Sequence, residues 1–148
     1  MKVDSTLKIV SEFQSFIKPK LDQNLSDFCK ELTSITQDDV DNAESFPVVI
    51  EKFKSWIGND YSLCSWGFYD KSQLNKDCEL NKVSNVWIKN HISLKHQYGS
   101  IKGMNKGCGM ERALTIENLK LEGTHHRGID DARNIAKIFI KLYDKWRF

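Results

Sequence analysis

Gly123-Thr-His-His-Arg-Gly-Ile-Asp-Asp-Ala-Arg-Asn-Ile-Ala136 is the stretch that decides how this chain is read. Two histidines and two aspartates fall within seven residues, at the mouth of a helix. From Ala132 the apolar residues recur at Ile135, Ala136, Phe139, Leu142, Tyr143 and Trp146, which is helical spacing. Asp130 and Asp131 occupy the first turn, where carboxylates suit the helix dipole and can cap free N–H groups. A capped terminal helix after a polar loop explains part of this pattern. Asp131, however, shares its face with Ile135, Ile138 and Leu142, so its carboxylate points toward the core side. His126 lies five residues earlier, in a loop able to fold back over it. A carboxylate at the rim of a core beside an imidazole suits the chemistry of metal-bound water.

Working outward, the 148 residues make one domain with a real core, 1–148. Hydrophobic content of 40% and charged content of 28% are those of an ordinary globular protein. Lys+Arg 22 against Asp+Glu 20 leaves a formal charge of +2, too weak to imply nucleic-acid binding and no bar to it. No apolar run approaches the roughly 18 residues of a membrane span, and Met1-Lys2-Val3-Asp4 opens no signal peptide. Cys29, Cys64, Cys78 and Cys108 lack the paired spacing of a zinc site and read as reduced thiols of a cytoplasmic protein.

The chain then reads in order. Residues 1 to 18 are β structure with a hairpin turn at Asp4-Ser5-Thr6, ended by Pro19. Leu25 to Leu32 is a short helix, and Thr33 to Val40 a polar link. Ser45 caps an amphipathic helix from Phe46 to Ile57, with Pro47 in its first turn. Tyr61 to Trp66 is a strand, broken by Gly67. A helix follows from about Asp70 to Leu80, so Asp70 stands where a strand gives way to a helix, a common address for site residues in α/β domains. Val86 to Ile88 reads as a strand, and helices follow at about 93–101 and 110–119. The order β-β-α-α-β-α-β-α-α-α predicts an α/β or α+β sandwich, helices against a small sheet.

Asp70, Asp130, Asp131 and His126 are the residues that stand out by position. Hard oxygen ligands of this kind suit Mg²⁺ or Mn²⁺, and two such ions about 3.5–4 Å apart can activate water against a phosphodiester. Three segments carry a resemblance: 28–41, Phe-Cys-Lys-Glu-Leu-Thr-Ser-Ile-Thr-Gln-Asp-Asp-Val-Asp; 64–70, Cys-Ser-Trp-Gly-Phe-Tyr-Asp; and 126–136, His-Arg-Gly-Ile-Asp-Asp-Ala-Arg-Asn-Ile-Ala. Together they resemble the DEDDh 3′–5′ exonucleases of the RNase T/DnaQ-like superfamily. The resemblance is to the branch of the histone-mRNA 3′ exoribonuclease and the KinA-pathway sporulation inhibitors, and it runs along essentially the whole chain.

The resemblance implies a ribonuclease-H-like mixed sheet flanked by helices. It implies a hydrolase that removes nucleotides from the 3′ end of single-stranded RNA or DNA, using Mg²⁺ or Mn²⁺ as a pair. By position Asp70 and Asp131 match metal ligands, and His126 matches the general base. Leu32, Ile35 and Tyr69 match positions near the 3′-terminal nucleotide. Asp130 is expected to cap the helix, and His125 to be a packing residue. Lys89, Lys95, Lys102 and Arg112 are candidate phosphate contacts. The family's first motif, Asp-x-Glu on the first and central strand, has no counterpart in residues 1 to 20, where Asp4 and Glu12 are too far apart. The sheet is therefore expected to lack that strand within 1–148, leaving neighbouring strands with unpaired backbone groups. That opens a second reading, a catalytically inactive relative that binds nucleic acid or protein. It also opens a third, in which a homo-oligomer or partner chain completes the sheet.

Overall fold

A computed structural model describes residues 1–148. The N-terminal hairpin pairs β1 (Lys2–Val3) antiparallel with β2 (Ile9–Ser11). Its turn forms at the expected place, because the Asp4 carboxylate accepts from the Thr6 and Lys8 N–H groups at 2.8 and 3.1 Å. The ladder stops at Ser11 rather than running to Pro19. Beyond it, Phe13 turns its ring onto Phe53 and Trp56, with centroids 5.4 and 5.6 Å away. Lys18 then makes only an isolated bridge to Ser45.

Helix α1 (Asp27–Thr33) starts at Ser26, whose hydroxyl accepts from the Cys29 N–H. The expected polar link contains a further helix, α2 (Gln37–Asp41). Its cause is a capping box: Thr36 Oγ1 accepts from the Asp39 N–H at 3.2 Å, and Asp39 Oδ2 accepts from the Thr36 N–H at 2.9 Å. Helix α3 (Phe46–Ile57) follows as predicted, burying Phe46, Val49, Ile50 and Ile57.

The parallel ladder joins β3 (Leu63–Ser65) to β4 (His91–Ser93), with Leu63 opposite His91 and Ser65 opposite Ser93. Between them runs α4 (Tyr69–Leu80). The second parallel strand is thus not Val86–Ile88. Those residues form a turn in which the Ile88 N–H reaches the Asn85 carbonyl. Trp87 and Ile88 are buried there as side chains, and the Trp87 carbonyl accepts from Tyr61 Oη at 2.7 Å. An apolar run reports burial, and the ladder partner decides what is a strand.

Helices α5 (Leu94–Ile101), α6 (Met110–Ile116) and α7 (Gly128–Lys141) complete the chain. Leu94, Tyr98, Met110, Ala113, Leu114, Ile138, Leu142 and Trp146 form one cluster of the core. Phe46, Ile50, Ile57, Cys78, Trp87 and Ile88 form the other. Ile92 on β4 packs against the first and Leu63 on β3 against the second, so the ladder lies between two helical layers. Each fully buried Leu or Ile contributes about 1.5–3 kcal/mol of transfer free energy. The terminal helix ends at Lys141 instead of continuing through Trp146. A 3₁₀ turn at Tyr143–Lys145 folds the indole back, stacked on Phe139, with its N–H on the Phe139 carbonyl at 2.8 Å.

The two ladders do not join: β1 pairs only with β2, and β3 only with β4. All four cysteines are free thiols. No helix is long and apolar enough to cross a membrane.

Candidate functional site

The decisive loop is a turn from Thr124 to Arg127, closed by the Arg127 N–H on the Thr124 carbonyl at 3.1 Å. His126 is its third residue, with φ +70°, a left-handed conformation uncommon outside glycine. Asp130 braces the turn. Its carboxylate accepts from the Thr124 N–H at 3.0 Å and from Arg133 Nη1 at 2.8 Å. Gly123 makes room for it, since a Cβ there would lie 2.2 Å from the Asp130 carboxyl carbon and φ is +72°. The Thr124 N–H, with Arg133 adding, keeps the Asp130 carboxyl below the usual carboxylate range. Asp130 therefore ties the loop to α7 instead of capping the helix, whose start carries no side-chain cap.

Asp131 sits in the first turn of α7 with its Oδ1 atom buried. His125 Nδ1 faces it at 3.2 Å, and neither atom has a partner in hydrogen-bond geometry. The His125 ring lies against that of His126, centroids 3.9 Å apart, while His126 itself is exposed. It is thus His125 that reaches the carboxylate, with His126 layered outside it. The left-handed turn at His126 sets this arrangement.

Arg127 carries the loop across to the other half of the chain. Its guanidinium donates to the Ser34 carbonyl at 3.0 Å and lies over the Phe16 ring. Ser34 links Leu32 to Ile35, so the His126 turn stands beside these two candidate nucleotide contacts. Leu32 is 38% exposed and Ile35 half-buried. One further clasp steadies the loop. Asn134, 1% exposed, accepts from the Glu122 N–H at 3.0 Å and donates to the Glu122 carbonyl at 2.8 Å.

Asp70 is exposed near the start of α4, just past β3, directly after Phe68 and Tyr69, which are 54% and 77% exposed. The His91 imidazole is pushed below its ordinary value by burial and by the Lys71 charge, with Asp70 opposing. The structure gathers His125, His126 and Asp131, but no group of three or more His, Cys, Asp or Glu side chains able to hold a metal ion. Of the candidate phosphate contacts, Lys102 is committed internally, 2.6 Å from the buried Glu117. The residues that sequence reasoning left without a role are Asn134 and Arg127. A polar side chain between Arg133 and Ile135 on a helix turned to the core was the available signal for Asn134.

Comparisons with known proteins agree on the family. The exonuclease (RNase_T) family model matches residues 1–139. Human 3′-5′ exoribonuclease 1 is 36% identical over 150 residues, covering 93% of this chain and 42% of that protein. Human ERI1 exoribonuclease 3 is 31% identical, covering 93% of this chain and 44% of its own length. The chain thus spans less than half of the curated relatives it matches. The solved nuclease domain of 3′hExo, a DEDDh family member bound to rAMP, superposes with a TM-score of 0.87 at 33% identity, covering 94% of this chain and 74% of that one. The fold is that of the ribonuclease-H-like nucleases, and the chain belongs to the exonuclease family in its DEDDh branch.

Proposed function

We propose that this chain is the nuclease core of a 3′–5′ exoribonuclease, hydrolysing single-stranded RNA from its 3′ end. The observation that carries the reading is the His126 turn, fixed beside Asp131 by Asp130, Arg127 and Asn134, in a DEDDh exonuclease fold. In it His126 takes the proton of the attacking water, and its exposure leaves it open to solvent and substrate. Leu32, Ile35 and Tyr69 hold the terminal nucleotide through apolar and aromatic faces, which stack on a base without reading its identity.

The cofactor of the reading is Mg²⁺ or Mn²⁺. Asp70 and Asp131 are the carboxylates to hold it, and the buried, unpartnered Asp131 Oδ1 is the right kind of donor for a hard cation. Two side chains supply too few oxygens for a pair of ions. A strand bearing Asp-x-Glu, paired along the free edge of β3, would add the rest, whether from the same polypeptide or a partner chain. Four free thiols fit a reducing compartment such as the cytoplasm.

The test is incubation of the protein, carrying or supplied with the strand that bears Asp-x-Glu, with 5′-labelled single-stranded RNA and Mg²⁺. Stepwise shortening from the 3′ end with release of nucleoside monophosphates is expected, and Asp131→Asn or His126→Ala should lower the rate at least about a hundredfold while leaving the melting temperature close to that of the parent. Binding of RNA without shortening by any preparation of the chain would leave the inactive binding module as the better reading.

A further inference from the structure

Beside Asp70 lies a cluster that the catalytic reading does not use. The parallel register ends β3 and β4 at the same level, which sets Ser65 opposite Ser93. Each serine fixes a histidine. Ser65 Oγ donates to the Gly67 carbonyl at 2.9 Å and meets His91 Nε2 at 2.8 Å. A hydroxyl has one proton to give, so the His91 contact requires the N–H on Nε2, which fixes the tautomer. Ser93, itself buried, meets His96 Nδ1 at 2.6 Å. On these two oriented rings sits Phe68, stacked on His96 with centroids 4.8 Å apart at 30°, and 6.0 Å from His91.

Phe68 occupies the N-cap position of α4 and gives the helix no side-chain cap. Ser, Thr, Asp or Asn would serve the helix better there. An aromatic ring that forgoes a cap, rests on a built support and stays 54% exposed is a local rule broken, the pattern expected at functional positions. Lys71 follows three residues on, in the first turn of α4, so the same helix end carries a cation. Apolar face and positive charge match the two parts of a nucleotide, base and phosphate.

We propose that Phe68, supported by His96 and His91, is a stacking platform for an unpaired nucleobase of the strand entering at Asp70, with Lys71 toward its phosphate. This rests on the exonuclease reading and adds a substrate-positioning residue to it. His91 and His96 act through Phe68 and do not touch the strand.

The experiment places a fluorescent adenine analogue at successive positions near the 3′ end of a short single-stranded oligoribonucleotide. Binding is followed in Asp131→Asn protein, so that the strand is not shortened. Stacking on Phe68 should quench the analogue at one position. Phe68→Ala should abolish that quench and weaken binding about five- to a hundredfold, and Phe68→Trp should restore both. His96→Ala should reduce the quench while Phe68 remains in place. An unchanged quench in Phe68→Ala protein overturns the platform and leaves the exonuclease reading standing. A parent that binds no single-stranded RNA overturns both.

Discussion

Replacement of Asn134 tests whether a hydrogen-bond clasp, rather than simple packing, holds the His126 loop to α7. The amide makes three bonds: one from the Glu122 N–H at 3.0 Å, and two to the carbonyls of Glu122 and Asp130 at 2.8 and 2.9 Å. In Asn134→Ala the Glu122 groups lose their partner but can reach water, because Glu122 is exposed. Each bond then counts at its net value of about 0.5–1.5 kcal/mol. The better helix propensity of Ala returns up to about 0.7 kcal/mol. The expected loss is about 1–4 kcal/mol, or roughly 3–12 °C in Tm for a domain of this size. Asn134→Asp separates the explanations. It preserves volume but turns a carboxylate oxygen onto two carbonyls, in a position 1% exposed. On packing alone it would be milder than Ala; on hydrogen bonding it must be worse. Urea and thermal melts at neutral pH decide the order. An Asp variant as stable as the Ala variant would refute the clasp.

Two further outcomes follow from the core. A Cβ at Gly107 would lie 2.2 Å from the Lys95 carbonyl oxygen, and one at Gly109 meets nothing within 4 Å. Gly107→Ala should therefore cost about 1–3 kcal/mol in urea melts, and a harmless Gly107→Ala would show that the two segments are not in close contact. Burial works against the charge on Glu117, yet the hydrogen bonds from Lys102 and Tyr98 outweigh it and hold the carboxyl below its ordinary value. A depressed folded pKa stabilises above the unfolded value of about 4.3 and is lost as pH falls through the folded one. The Tm gap between the parent and Glu117→Gln should accordingly be widest near neutral pH and close below about pH 4. A gap that widens in acid contradicts this assignment.

Helices long enough to show a stripe were legible in the sequence. Phe46–Ile57 begins where the sequence put it, because apolar spacing and Pro47 in the first turn agree there, although Ser45 stands at the N-cap without a side-chain cap bond. Gln37–Asp41 was not, since five residues carry no period, although Thr36 and Asp39 signalled its cap. Val86–Ile88 misled because burial alone does not distinguish a turn from a strand. At the site, spacing placed Asp131 at the core rim and Asp70 at a strand-to-helix junction. Which histidine faces Asp131 depends on the positive φ of His126, a backbone choice that residue types do not announce. The platform at Phe68 was hidden for a related reason: its histidines come from β4 and the start of α5, and only the register brings them under the ring.

Arg133 does more than steady Asp130. Its other two nitrogens hold the Glu12 carboxylate at 3.1 and 2.6 Å, across 121 residues of sequence. Closing a loop of that length costs about 4 kcal/mol of chain entropy before any constant term, against about 1.5 kcal/mol for the few residues between β1 and β2. An exposed clasp cannot repay that early in folding. The hairpin and the middle helices can form from local contacts, while the joining of the first strands to α7 must wait until the core has brought both ends together. The loop bearing His126 opens directly onto α7, so the candidate site is among the last parts of this domain to assemble and, by the same topology, among the first to loosen.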